Sequence, residues 1–393
     1  MPSEHLESAV VDLTRALIGI DSVNPRLVPG TVGEAAIAAH LADRLDGAGY
    51  AVRLVEAPSD PARVSVVAVR VGSRPGRTVV LNGHLDTVGV EDMPEPFTAR
   101  IDGDRLIGRG ASDMKGGVAG IVVAAESLAA ADAPGTVIVA LVADEEDASL
   151  GAESVLKHLA GREIAPDVCL IAEPTWLDLA IAHRGFAVVE IVLQGRAAHS
   201  SQPAEGLDVI GPVGDLLASI RAADRDLRDV IPHQLVGHGS LMTTVLRAGT
   251  APFTVASGAE LVVERRTVPG ETAESALDDV SALVDAVTAR TPGLRAEVRL
   301  GVARSAWQAD ASGAAAELAG ALSSAIAQTG RRAESVGAPY WMESALWQEA
   351  GVPTVVCGPA GGGLHAIDEW VDLDQLRRFP AAVGAAVSRF LTA

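Results

Sequence analysis

Thr78-Val79-Val80-Leu81-Asn82-Gly83-His84-Leu85-Asp86-Thr87 is the stretch around which the chain is organised. Its apolar run, Thr78 to Leu81, reads as a buried strand and ends in an imidazole and a carboxylate two residues apart. Strand residues i and i+2 share a face, so His84 and Asp86 lie side by side just past the strand end. There Asp86 is placed to hydrogen-bond one ring nitrogen while the other binds a metal. Taken alone, Asn82 to Asp86 reads equally well as a turn. Four more segments add weight, because each delivers Asp, Glu or His just beyond an apolar run: Asp113, Glu145-Glu146, Glu173 and His365.

Upstream, residues 5–19 set Leu6, Val10, Leu13, Leu17 and Ile18 on one stripe, an amphipathic helix stopped by Asp21-Ser22-Val23-Asn24-Pro25. A helix over about 32–48 and strands near 50–55 and 64–71 follow. Downstream, Asp102-Gly103-Asp104 predicts a hairpin turn. The segment Ala111-Ser112-Asp113-Met114-Lys115-Gly116-Gly117 opens a small-residue helix to about 130. It meets neither GxGxxG nor GxxxxGK[ST], so a nucleotide site is disfavoured. Small residues here let a helix approach a sheet closely. Strand 136–142, an acid cluster, helix 149–160 and strand 168–172 complete this half.

After Arg184-Gly185 the pattern changes. Strand 186–194, helix 206–222, strands 236–247 and 258–266, helix 271–290 and strand 294–300 give the order βαββαβ, that of an antiparallel sheet with helices on one face. From about 301 the earlier alternation resumes, with helices 313–328 and 341–350, strand 353–357 and helix 373–391. The predicted architecture is an α/β domain, 1–185 and 301–393, with a mixed, mostly parallel sheet between helices, interrupted by a smaller ferredoxin-like α+β domain, 186–300.

Bulk properties agree with two globular domains, since 393 residues exceed the usual single core. Fifty-one acidic against 31 basic residues leave a net charge of −20, which argues against nucleic acid or an anionic membrane as partner. Met1 to Leu17 mixes Glu, Asp and Arg with apolar residues, unlike a secretory signal. No apolar run approaches the ~18–20 residues of a membrane span. The two cysteines, Cys169 and Cys357, sit in apolar runs and read as small buried hydrophobes. A soluble, cytoplasmic protein is expected.

The delivered acids and histidines lie 29 (84 to 113), 33 (113 to 146), 27 (146 to 173) and 192 residues (173 to 365) apart. No local metal motif spans such gaps, but successive strand ends of an open α/β sheet meet at one crevice. Two histidines and three carboxylates there suit zinc or a similar cation, and one bridging carboxylate would let five ligands build two sites. Adjacent Glu145 and Glu146 at a buried strand end are costly unless a cation neutralises them. If one ligates, the other is free to serve as a general base towards water acidified by the metal. The competing reading of Asp144-Glu145-Glu146-Asp147 is an acidic helix N-terminus. A serine hydrolase is disfavoured, since GxSxG does not occur.

Six segments together resemble the zinc-dependent M20 amidohydrolases and peptidases, whose members include acetylornithine deacetylase, succinyl-diaminopimelate desuccinylase, aminoacylase and glutamate carboxypeptidase. They are Gly83-His84-Leu85-Asp86, Gly110 to Gly117, Asp144-Glu145-Glu146, Glu173-Pro174, Ala198-His199-Ser200 and Leu364-His365-Ala366-Ile367-Asp368-Glu369. The resemblance implies a di-zinc-peptidase-like catalytic domain holding two divalent metal ions, zinc or cobalt, bridged by Asp113. His84 and Glu173 would complete one site, Glu146 and His365 the other. Glu145 would be the base and acid, and Asp86 the partner of His84. The inserted domain would be a lid and dimerisation module, making a homodimer through residues 186–300. Its His199 would reach the partner subunit's site and polarise the scissile carbonyl, although His199 by itself reads as a surface loop residue. Arg266 would bind the substrate carboxylate; by itself it reads as an exposed charge at a strand end.

Two segments depart from the family's pattern. Phe253-Thr254-Val255-Ala256 stands where many relatives have Asn-Val-Val-Pro, and Trp341-Met342-Glu343-Ser344-Ala345 stands where Thr-Asp-Ala is usual. Trp341 and Trp347 are candidates for a pocket wall, though such aromatics also read as core. The expected reaction is hydrolysis of an N-acyl amino acid. A dipeptidase or carboxypeptidase, or a silent metal- or ligand-binding member, is the alternative.

Overall fold

A computed structural model describes residues 3–393; the part of the N-terminal reading that rests on Met1 and Pro2 lies outside them. Helices α1 (Ser3–Ile18) and α2 (Ala35–Gly47) precede strands β1 (Ala51–Ala57), β2 (Asp60–Val71) and β3 (Thr78–His84). The hairpin β4 (Arg100–Asp102) and β5 (Arg105–Ile107) turns at Gly103, whose φ of 62° is a conformation glycine adopts freely. Next come α3 (Gly116–Ala130), β6 (Thr136–Val142), α4 (Leu150–Ala160), β7 (Val168–Ile171) and β8 (Leu179–His183). The middle of the chain forms β9 (Gly185–Gln194), α5 (Ile210–Asp229), β10 (Ser240–Ala248), β11 (Gly258–Thr267), α6 (Ala273–Arg290), β12 (Arg295–Arg304) and β13 (Trp307–Gln308). The remainder forms α7 (Ala314–Ala327), β14 (Ser335–Ala338), α8 (Ser344–Glu349), β15 (Thr354–Val356), β16 (Gly361–Gly362), β17 (Trp370–Asp372) and α9 (Leu373–Thr392).

Two compact units result. One comprises Met1–Ile181, Ala309–Val336 and Leu346–Ala393, the other Ala182–Gln308 and Gly337–Ala345. The sequence boundaries at 185 and 300 therefore shift. The stretch 337–345 joins the second unit because Trp341 packs edge-on against Phe186, ring centroids 6.3 Å apart, and against His183 at 6.1 Å. The helix expected over 341–350 accordingly begins only at Ser344.

In the first unit the strand order runs β1-β2-β6-β3-β7-β15-β8. The four central strands, β6-β3-β7-β15, are parallel, and antiparallel pairing is confined to the flanks. Central strands covered on both faces are buried continuously, as β3 and β6 are from their second residues onward; β6 is apolar throughout that stretch, whereas in β3 the apolar run ends at Leu81. Helix α3 is buried along nearly its whole length and packs with α1 and α9, while α2 and α4 pack on β1 and β2. Its first turn needs glycine: a Cβ on Gly117 would stand 2.0 Å from the carbonyl oxygen of Ala172. The small-residue run thus sets how closely α3 approaches the end of β7. A second, small sheet runs β16-β17-β5-β4.

The second unit keeps the order β9-α5-β10-β11-α6-β12, with antiparallel strands arranged β10-β11-β9-β12. Val189, Ile191 and Leu193 alternate along β9 and bury with Leu216 of α5 and Val280, Val284 and Val287 of α6. Helix α5 runs to Asp229, beyond the expected end at 222. Its last turns continue the apolar stripe through Ala223 and Leu227, which pack against the same core, and Arg228 donates to Asp224 at 2.6 Å, one helical turn away.

Candidate active site

Three neighbouring parallel strands of the first unit, β6, β3 and β7, end at one edge, and the chemistry sits just beyond them. β3 ends on His84, with Asp86 two residues on; Glu145 and Glu146 follow β6, and Glu173 follows β7. Asp113 lies in the irregular turn Ala111–Lys115 before α3, with φ −120° and ψ 93°. His365 lies between β16 and β17. Its φ of 61° is a left-handed conformation that histidine tolerates better than most residues.

These side chains meet around Asp113. One carboxylate oxygen, Oδ1, is 3.0 Å from His84 Nε2, and the other, Oδ2, is 3.3 Å from His365 Nε2. Glu173 Oε1 stands 3.7 Å from His84 Nε2, and Glu146 Oε2 3.1 Å from His365 Nε2. Glu145 joins the same cluster: ligand atoms of His84, Glu145 and Glu173 lie within 4.8 Å of one another, as do those of His84, Asp113 and Glu146. Sequence reasoning thus named seven residues that this unit brings together: His84, Asp86, Asp113, Glu145, Glu146, Glu173 and His365.

The donor set fits divalent cations. The Asp86 carbonyl, which can only accept, lies 3.0 Å from His84 Nδ1, so one ring proton sits there; Nε2 faces the carboxylates, where as an imidazolium it donates to Asp113 and as a neutral ring it would turn its lone pair to a cation. Glu146 Oε1 is buried and accepts no hydrogen bond among the described residues. Burial pushes Glu173 up to about 8 and Glu146 up to about 7, with neighbouring Asp113 adding to both. Burial also acts to raise Asp113, but hydrogen bonds from His365 and His84 outweigh it and hold that carboxyl well below the usual range. The same bonds to Asp113 and Glu146 carry His365 up to about 10. Acids this crowded and this dry are relieved by positive charge.

Asp86 departs from the sequence reading in detail. Its carboxylate is 3.8 Å from His84 Nδ1, outside hydrogen-bonding range, because it is engaged elsewhere. Oδ1 accepts from the backbone N–H of Glu145 at 3.0 Å, and Oδ2 accepts from that of Glu146 at 3.1 Å and from Asn24 Nδ2 at 2.8 Å. Asn24 also reaches Asp144 Oδ1 at 3.1 Å, and fully buried Arg63 donates to Asn24 Oδ1, to Asp144 at 2.7 Å and to Glu34 at 2.6 Å. In the sequence Asn24 reads only as part of a helix stop. Arg63 gave no signal at all, since a buried arginine in a strand looks like a surface charge in the sequence.

His199 and Arg266 belong to the second unit. His199 is exposed, and its Nδ1 accepts the Ser201 backbone N–H at 3.2 Å, which leaves the proton on Nε2. Arg266 donates through Nε to Glu264 at 2.6 Å and lies 5.5 Å over the Phe186 ring. Of the two tryptophans in question, Trp347 is fully buried core.

The profile of peptidase family M20/M25/M40 matches residues 80–389, most of the chain and every residue of the cluster. The chain belongs to peptidase family M20/M25/M40. An acetylornithine deacetylase of Proteus mirabilis is 26% identical over 395 residues, covering 98% of this chain and 97% of that protein. Among solved structures, a tripeptidase from Staphylococcus aureus superposes with a TM-score of 0.82 at 16% identity, covering 98% of this chain and 99% of its own. A dinuclear metal-binding peptidase of the M20 family from Bacillus subtilis gives 0.74 at 18% identity, covering 99% and 100%. The M20 chain is thus a hydrolase with a candidate two-metal site of the kind its family uses. No helix among the described residues is long and apolar enough to cross a membrane.

Proposed function

We propose that this protein hydrolyses the amide bond of an N-acyl amino acid at a dinuclear centre. The observation that carries the reading is the division of Asp113, whose two oxygens face two different imidazoles at 3.0 and 3.3 Å. In this reading His84 and Glu173 would hold one ion and Glu146 and His365 the other, with Asp113 shared between them and zinc or cobalt as the metal. What bound divalent ions supply is polarisation of the carbonyl and a lower pKa for the attacking water.

The chain's own residues do the rest. Glu145 takes the proton from the attacking water as the oxygen adds to the carbonyl carbon. It returns that proton to the amine nitrogen as the C–N bond breaks, leaving a carboxylic acid and an amine. Asp86 holds the acid pair by its backbone. His199 donates from Nε2 to the developing oxyanion, acting in a homodimer formed through residues 186–300; its Nδ1 bond to the Ser201 N–H supports that tautomer. Arg266 receives the substrate carboxylate, a match for a guanidinium fork. The deacylase reading is supported by the full-length likeness to an acetylornithine deacetylase. A cytoplasmic setting is supported by the two buried cysteines, Cys169 and Cys357, whose thiols are reduced.

The test is a panel of N-acetyl, N-succinyl and longer N-acyl amino acids, the matching N-acyl amines, and dipeptides. Activity should vanish on chelation and return with zinc or cobalt, and should favour N-acyl amino acids over amines and dipeptides. Preference for dipeptides would make the protein a peptidase, and full activity in protein shown by elemental analysis to be metal-free would sink the metal reading.

A further inference from the structure

Two loops far apart in sequence must hold still relative to each other if Asp113 and His365 are to share an ion, and one buried carboxylate joins them. Glu369 is 1% exposed and lies four residues after His365. Its Oε1 accepts the backbone N–H groups of Ser112 and Asp113, both at 3.0 Å. Its Oε2 accepts the N–H of Gly110 at 2.8 Å and Arg109 Nη1 at 2.8 Å. Arg109, equally buried, uses Nη2 to donate to the carbonyl of Ala366 at 3.0 Å, next to His365 itself. The register places this carboxylate: Glu369 immediately precedes β17, whose Trp370 pairs with Ile107 of β5, two residues before Arg109.

We propose that Glu369 and Arg109 are positioning residues that fix Asp113 and His365 relative to each other, so that the shared metal position is built before metal arrives. Glu369 touches no reacting group in this scheme. Its carboxylate accepts from three N–H groups of the 110–113 loop and one guanidinium, an acceptor-only role that an ionised carboxylate alone can fill among side chains of this shape. A glutamine there is isosteric, but whichever way its amide turns, the NH2 faces at least two donors. Lysine at position 109 keeps the charge but cannot serve Glu369 and the Ala366 carbonyl through a planar fork. The inference rests on the ligand roles given above to Asp113 and His365.

The experiment measures metal affinity without turnover. Chelator-stripped wild-type, Glu369→Gln and Arg109→Lys proteins are titrated with Co2+, followed by its visible absorption, and thermal unfolding of each stripped protein is recorded separately. Glu369→Gln should weaken both binding steps by about 10- to 100-fold, because Asp113 serves both ions. Arg109→Lys should weaken one step more than the other, because its second contact anchors only the His365 loop; this variant decides the matter should Glu369→Gln not fold. Variants that unfold at lower temperature yet bind two Co2+ with wild-type affinity would show a merely structural pair and overturn the proposal. A wild type that binds fewer than two ions would overturn the ligand assignment beneath it, and the inference with it.

Discussion

Glu145 and Glu146 are neighbours in sequence, and both give their backbone N–H groups to Asp86, yet the proposed chemistry assigns them different work. Distance alone does not separate them, because each forms a compact donor group with His84. Glu146 is set 3.1 Å from the second imidazole, His365, which is why it is assigned to the ion that His365 would hold. Glu145→Gln keeps shape and hydrogen bonding but removes the proton acceptor, so it should retain both metals while kcat falls by roughly 10²–10⁴-fold. Glu146→Gln should instead lose one metal, with activity partly recovered at high metal concentration. Metal content and turnover on both variants decide the assignment, and the reverse pattern would exchange the two roles. His84, Glu145, Glu146 and Glu173 were legible because each follows an apolar strand, and Asp113 and His365, which lie in loops, because of the motifs around them. Their supports were not. Arg109 and Glu369 stand 260 residues apart, and a charge buried by so distant a partner looks in sequence like any solvated charge.

At the level of elements, the βαββαβ order was legible from the alternation in β9 and the stripe Val280, Val284, Val287 in α6. Two- and three-residue strands such as β13 and β16 were not, because pairing makes them strands and they are too short to show a period. The stretch 337–345 falls with the second unit for a related reason: its place is set by Trp341 meeting His183 and Phe186. His183 makes this cluster testable. It is fully buried, 5.4 Å from the Trp307 ring, and its Nδ1–H donates to the Arg184 carbonyl at 2.9 Å. Burial pushes its pKa down from 6.5 to about 4. The unfolded chain therefore binds this proton more tightly than the folded one. The contribution is fully present above pH 6.5 and is lost as pH falls towards 4. Between those limits wild type should lose up to about 1.4 kcal/mol of stability per pH unit relative to His183→Phe, which packs an aromatic ring but cannot titrate. Denaturant unfolding of both proteins across this range measures the difference, and parallel curves would mean that His183 is not held neutral by burial.

For the whole molecule, the prediction is that a second copy completes the site. The sheet of the second unit ends on β10 and β12, edges whose backbone groups need a partner or cover, and Met242, Leu246, Leu300 and Val302 on them are exposed. A homodimer through this unit would cover such surface and let His199 serve the partner's chemistry. The two inactive variants Glu145→Gln and His199→Ala separate a role in trans from one in cis. In a mixed dimer, the His199→Ala chain keeps its own Glu145 and receives an intact His199 from its partner. Random exchange at equal amounts makes half the dimers mixed, and each has one complete site. Mixing two nearly silent proteins should therefore restore about a quarter of wild-type activity, on the pace of subunit exchange. A role in cis leaves every chain with one defect, so no recovery appears at any mixing ratio. Sedimentation at the assay concentration runs alongside, and a fully active monomer there would refute both the dimer and the trans role of His199.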